Sequence, residues 1–124
     1  MNASSKIRVA VNGFGVIGKR VAEAVTLQSD MDLAGVSDVG TDWRLRVVTR
    51  KGFHLFGATS EQAEAMRRAE LEIAGILDDL LGRADVVVDC TPKRVAAGNV
   101  ELYRRRGLKF ILQGGEKHEV TGHS

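Results

Sequence analysis

The chain reads as an α/β domain of the Rossmann type, a doubly wound and mainly parallel sheet with helices on both faces. Three observations point there. Short strand-like runs alternate with helix-patterned segments from one end of the chain to the other, the arrangement that parallel strands with crossover helices require. The leading strand-like run, residues 7–11, is almost wholly apolar rather than alternating, as in a strand covered on both faces. Gly52, Gly82 and Gly107 each close a helix-patterned segment ahead of a strand-like run, where helix ends need them.

The elements follow in order. Residues 7–11 form the first strand. A helix comes next, with Ile17, Val21, Ala24 and Val25 on one face and Lys19, Arg20 and Glu23 on the other, an amphipathic spacing. Residues 32–36 make the second strand. Asp42 is placed to cap a helix over 43–50, which Gly52 ends. Residues 53–56 are a short third strand. Ser60 and Glu61 open a helix that runs to about Arg68, and the stretch 71–74 is ambiguous. Residues 76–81 form a brief helix stopped by Gly82. Residues 84–89 hold Val86-Val-Val88, the strongest β-branched run in the chain and a central strand. Pro92 suits the first turn of the next helix. That helix carries Ala96, Val100 and Tyr103 at helical spacing and ends at Gly107. Residues 109–112 are the last strand, with Gln113-Gly-Gly-Glu116 as the loop behind it.

The first strand-to-helix junction carries the chemistry. Val9-Ala-Val-Asn-Gly-Phe-Gly-Val-Ile-Gly18 contains G-x-G-x-x-G at Gly13, Gly15 and Gly18. A lone motif of this kind is weak. Here a strand precedes it, a helix follows it, and an acid, Asp38, lies twenty positions past the third glycine. That is the context a dinucleotide fingerprint demands. Gly13 permits the tight turn, Gly15 lets a pyrophosphate approach the backbone, and Gly18 lets helix and strand pack closely. Free amides and the helix dipole then face the phosphates. Asp38 accepts hydrogen bonds from an adenosine ribose. A structural glycine turn without a ligand is the competing reading, and the spacing of Asp38 speaks against it. Ligands of such sheets sit where strand order reverses, so residues 12–18, 90–94 and 113–116 should converge.

Composition bounds the rest. The chain has 124 residues, enough for one domain with a modest core. A formal charge of +2 is too small to imply nucleic acid, and the acids balancing Arg104-Arg-Arg106 argue against a basic patch there. No apolar run is long enough for a membrane helix, and residues 1–6 lack the apolar core of a signal peptide. One cysteine, Cys90, rules out an internal disulfide framework and suits the reducing cytoplasm. Cys90 reads as a small core filler. His54, His118 and His123 show no metal-ligand spacing and read as surface histidines. Trp43 reads as packing at the edge of an adenine pocket.

Val11-Asn-Gly-Phe-Gly-Val-Ile-Gly-Lys-Arg20, Asp89-Cys-Thr-Pro92 and Gln113-Gly-Gly-Glu-Lys117 together resemble archaeal-type (type II) glyceraldehyde-3-phosphate dehydrogenase, over nearly the whole chain. The resemblance implies the NAD(P)-binding domain of a two-domain enzyme. The family's second domain carries a Ser-Cys-Asn-Thr-Thr motif whose cysteine attacks the aldehyde, and that motif does not occur in this sequence. The 124 residues therefore correspond to the cofactor-binding domain alone, with no catalytic residue and no metal ligand among them, and are expected to bind cofactor without turnover. The end at Thr121-Gly-His-Ser124 reads as a truncation. The resemblance implies cofactor contacts from Asn12, Gly13, Phe14 and Gly15, from Val16 and Ile17 at the helix start, from Thr91 and Pro92 beside the nicotinamide-side ribose, and from the Gly114 main chain. Glu116 and Lys117 read equally well as orienting groups or as a solvated loop pair.

Many archaeal members have lysine where this chain has Asp38. A carboxylate repels a 2′-phosphate, so NAD is expected over NADP, with Lys19, Arg20, Arg44 and Arg46 as cations that would rescue some NADP binding. Full-length members imply a cytoplasmic homo-oligomer without membrane or nucleic-acid partners. Two alternatives stay open. One is a stand-alone dinucleotide-binding sensor or accessory module. The other is a different Rossmann oxidoreductase, such as a semialdehyde dehydrogenase or a dihydrodipicolinate-type reductase, which the Gln113 to Lys117 run disfavours.

Overall fold

A computed structural model of the chain describes residues 6–41 and 45–113. Six strands form one sheet: β1 (Ile7–Asn12), β2 (Met31–Asp38), β3 (Leu55–Gly57), β4 (Gly75–Ile76), β5 (Val86–Asp89) and β6 (Lys109–Leu112). The helices are α1 (Val16–Thr26), α2 (Arg46–Arg50), α3 (Ser60–Arg68), α4 (Leu77–Leu81) and α5 (Lys93–Arg105). Strand order is β4-β3-β2-β1-β5-β6, and every pairing is parallel. The order runs outward from β1 in both directions, so the reversal falls between β1 and β5.

Both faces of the sheet are covered. Successive strand side chains point to opposite faces, and the core divides accordingly. Val11, Val36 and Leu55 pack with Ala22 of α1, Val48 of α2 and Met66 of α3. Ala10, Phe56 and Val87 pack on the other side with Leu77, Leu80 and Leu81 of α4 and Tyr103 of α5. Val9 to Asn12 are all buried, in keeping with the non-alternating pattern of that strand.

Several boundaries differ from the sequence reading. β2 extends to Asp38, which closes the strand rather than following it. β3 begins at Leu55 because the Phe53 amide is still bonded to the Val48 carbonyl, closing the turn after α2. The ambiguous stretch 71–74 leads into the edge strand β4. Ile76 belongs to that strand, and its amide donates to the Asp79 carboxylate at 3.0 Å, which starts α4 one residue later. α2 spans only Arg46–Arg50; Asp42, Trp43 and Arg44 lie outside the described residues.

The buried face of α1 also differs. Gly18, Ala22 and Val25 are buried, whereas Ile17 and Ala24 are exposed. Gly18 sets this rotation: a Cβ there would stand 1.9 Å from the Gly13 carbonyl oxygen. The helix must turn that residue inward against the preceding turn, which carries Ile17 outward.

Among the described residues no helix is long and apolar enough to cross a membrane.

Candidate functional site

The reversal of strand order opens a cleft of about 530 Å³ at the carboxyl ends of the strands. Most of its floor and walls come from three strand ends, with Ala58 after β3 and Leu77 after β4 adding to the lining. Asn12 ends β1 and Gly13, Phe14 and Gly15 follow it, Asp38 ends β2 with Val39 behind it, and Cys90, Thr91 and Pro92 follow β5. Lys93, Val95 and Asn99 of α5 complete the far side. Most of the residues expected to act together from sequence do meet here. Val16 and Ile17 begin α1 beside the cleft, exposed and outside its lining. Gly114, Glu116 and Lys117 lie outside the described residues. Gln113, the last described residue, donates its amide to the Asp89 carbonyl at 2.7 Å.

The turn after β1 is held by the backbone on both sides. The Gly13 amide donates to the Ser37 carbonyl at 2.8 Å, and the Asn12 carbonyl accepts from the Cys90 amide at 2.7 Å. Gly13 has φ of 100°, and a Cβ there would meet the Cys90 and Thr91 backbone at 2.9 and 3.0 Å. Only glycine fits such a position. Gly15 is the opposite case: a Cβ there would meet nothing within 4 Å. Its lack of a side chain leaves space on the ligand side rather than relieving a clash within the protein. Gly15 is also the N-cap of α1. No side chain bonds the first-turn amides and no acid lies in that turn, so the helix presents uncapped N–H groups to an anion.

Asp38 faces this turn. One carboxylate oxygen accepts from the Phe14 amide at 3.0 Å and the other from the Val39 amide at 2.7 Å. A carboxylate has about four acceptor positions, so each oxygen keeps capacity for a ligand hydroxyl. Of the cations expected nearby, Arg46 points elsewhere, with its guanidinium reaching the Ala69 carbonyl.

Beneath the cleft lies a buried polar network that sequence reasoning missed. Asp89 is fully buried. One of its oxygens accepts from the Thr91 amide at 2.9 Å and from the Thr91 hydroxyl. The other accepts from the Asn99 amide nitrogen at 3.0 Å and from the Tyr103 hydroxyl. The Tyr103 oxygen in turn accepts from Asn12 Nδ2 at 2.8 Å, and Asn12 Oδ1 accepts from the Ser37 hydroxyl at 2.7 Å. Burial, reinforced by the bond to Asp89, pushes the Tyr103 hydroxyl above its ordinary value and keeps it protonated. A carboxylate in a core is costly unless its acceptor sites are filled, and here all four are. The sequence held one cue: Asn12, Ser37 and Asp89 are polar residues directly after apolar runs, at the carboxyl ends of their strands.

Cys90 is half-buried at the cleft wall and packs against two parts of the core. His54 is exposed, and Arg106 pairs with Asp78 at the end of α5.

The family model described as dihydrodipicolinate reductase, N-terminus, matches residues 7–115. The chain belongs to that family. This family member is also 46% identical, over 116 residues, to a glyceraldehyde-3-phosphate dehydrogenase of Methanothermus fervidus, covering 94% of this chain and 34% of that protein. It is 47% identical over 118 residues to the enzyme of the same name from Methanothermobacter thermautotrophicus, covering 95% of this chain and 35% of that one. The chain thus spans about a third of the length of the curated relatives it matches, and the resemblance carried by its motifs extends along nearly all of it. Among solved structures it is similar to UDP-N-acetylglucosamine 3-dehydrogenase GnnA from Acidithiobacillus ferrooxidans, with TM-score 0.57, 18% identity, and coverage of 94% of this chain and 33% of that one. It is likewise similar to GenD2 from gentamicin A biosynthesis in complex with NAD, with TM-score 0.56 and 18% identity, covering 90% of this chain and 28% of that one. Identities at that level speak to the fold, which is Rossmann-like.

Proposed function

We propose that the chain is the NAD-binding domain of a glyceraldehyde-3-phosphate dehydrogenase of the archaeal kind. The observation that carries this reading is the cleft at the reversal of strand order, where an uncapped helix N-terminus, an open Gly15 and the Asp38 carboxylate stand together. The fit is chemical. The amides at the start of α1, with Val16 and Ile17 on its first turn, take the pyrophosphate. Asp38 accepts from the adenosine ribose hydroxyls. The rest of the dinucleotide then runs toward Thr91, Pro92 and α5, with Gly114 as a main-chain contact. Nicotinamide supplies hydride transfer when bound. This domain's part is to hold the ring against a cysteine nucleophile carried by the second domain of the full-length enzyme. No residue of residues 1–124 is assigned a catalytic role. The full-length enzyme is read as a cytoplasmic homo-oligomer.

The family model named for dihydrodipicolinate reductase favours a second reading, a reductase built on the same domain. The identity to glyceraldehyde-3-phosphate dehydrogenases along 94% of the chain and the Gln113 to Lys117 run support the first.

Titration with both coenzymes tests the site. NAD is expected to bind at least about tenfold more tightly than NADP, because the Asp38 charge opposes a 2′-phosphate. Asp38→Ala removes charge-assisted hydrogen bonds, so the Kd for NAD should rise by about tenfold while the gap to NADP narrows. NADP binding as tight as NAD at moderate salt would overturn the assignment of Asp38.

A further inference from the structure

We infer that Asn99 is a contact residue for the half of the coenzyme beyond the pyrophosphate, with Asp89 as the positioning residue that aims it. The inference deepens the coenzyme reading above and rests on it. Asn99 lies on α5 and lines the cleft across from Asp38. Its amide nitrogen donates to Asp89 Oδ2 at 3.0 Å. A carboxylate whose other three acceptor positions are taken by Thr91 and Tyr103 offers Asn99 only an acceptor. The orientation of the amide is therefore settled: nitrogen toward Asp89, oxygen away from it. Among the described residues that Oδ1 has no hydrogen-bond partner. An acceptor fixed in direction and left open at a cleft wall suits a ligand donor.

The position says which donor. A dinucleotide whose adenosine side is held by Asp38 at the end of β2, and whose pyrophosphate lies over Gly15, must place its other half past β1 toward β5 and α5. The groups there that donate are the hydroxyls of the second ribose and the carboxamide N–H of the ring. Adenosine and both phosphates lie on the other side of the Gly13 turn, so ADP does not reach Asn99. The prediction is thus a selective one. The part-buried bond to Asp89 also restricts the Asn99 rotamer before any ligand arrives, so little side-chain freedom is lost on binding.

The test compares two ligands. NAD and ADP are titrated calorimetrically into the wild-type chain and into Asn99→Ala. The Kd for NAD should rise about tenfold in the variant, while that for ADP stays within about twofold. Equal weakening of both ligands would mean that the variant loosens the whole cleft, and would overturn the inference, as would an unchanged Kd for NAD. If Asn99→Ala does not fold, the wild-type side-chain amide resonance of Asn99 decides. It should shift on addition of NAD and stay in place with ADP; no shift with NAD, or the same shift with both, counts against the inference. Absence of any NAD or ADP binding by the wild-type chain is a different result, since it removes the coenzyme reading itself.

Discussion

Strands β1 and β5 are tied together at both ends, by two kinds of chemistry. At their amino ends Arg8 and Asp85 form an ion pair at 3.1 Å, and the Arg8 amide donates to the same carboxylate at 2.8 Å. Both side chains are about half exposed. At their carboxyl ends Asn12 reaches Asp89 through Tyr103, with all three side chains buried. The first tie lies in water, where exposed pairs contribute little. The second sits where water is excluded and every unmet donor or acceptor is expensive. The expensive chemistry stands at the end that carries the cleft. A core that needed only stability would use apolar residues there. Polar residues under the cleft fix the directions of the groups above them, notably Asn12, Thr91 and Asn99.

Substitutions sharpen that contrast, and the largest effect is expected at Asp89. Asp89→Ala removes the acceptor for the Thr91 amide and hydroxyl, Asn99 and Tyr103 at once. Unfolding in urea should show a loss of about 3–5 kcal/mol. A loss below about 1 kcal/mol would mean that the buried network is not holding the strand ends. Tyr103→Phe is milder. It keeps the ring against Phe110, whose centroid is 5.6 Å away, but leaves Asn12 Nδ2 without its acceptor. The expected loss is about 1–3 kcal/mol. Its pH dependence has a definite sign. Burial raises the folded-state value of the hydroxyl, so its contribution is complete below the ordinary tyrosine range near 10 and is lost as pH rises through and above it. Thermal melts from about pH 9 to 11 should therefore fall more steeply for wild type than for the phenylalanine variant.

Asp85→Asn is expected to have the smallest effect. The hydrogen bond from the Arg8 side chain holds the Asp85 carboxyl below its usual range. A depressed carboxyl stabilises the fold above its unfolded value near 4, and that contribution disappears as pH falls through the folded value. Wild type and variant should differ slightly in Tm at neutral pH and low salt, and converge both in acid and in high salt. A larger Tm loss for Asp85→Asn than for Tyr103→Phe would invert the comparison.

The sequence made much of this legible. The apolar strands, the Ser60–Arg68 helix, the Lys109–Leu112 strand and the glycine turn follow from local pattern, and the strand–helix alternation leads to the parallel sheet and hence to where the cleft opens. The face of α1 was not legible from hydrophobicity, because Gly18, which must lie inward, has no hydrophobic weight. The network was not legible because its members are remote in the chain: Asn12 and Tyr103 are 91 positions apart. Their meeting depends on β5 and not β3 lying beside β1. Tyr103 reads locally as one more apolar position on a helix, and nothing in its neighbours announces that its hydroxyl has two partners.

One mechanical consequence follows from the order of those bonds. From Ser37 through Asn12 and Tyr103 to Asp89, each proton points the same way along the relay, so no member can swivel without depriving the next. Three strand tips and α5 are thereby welded into a single plate. A domain floored in this manner resists shear between its strand tips, so bending is expected outside the plate and not within it.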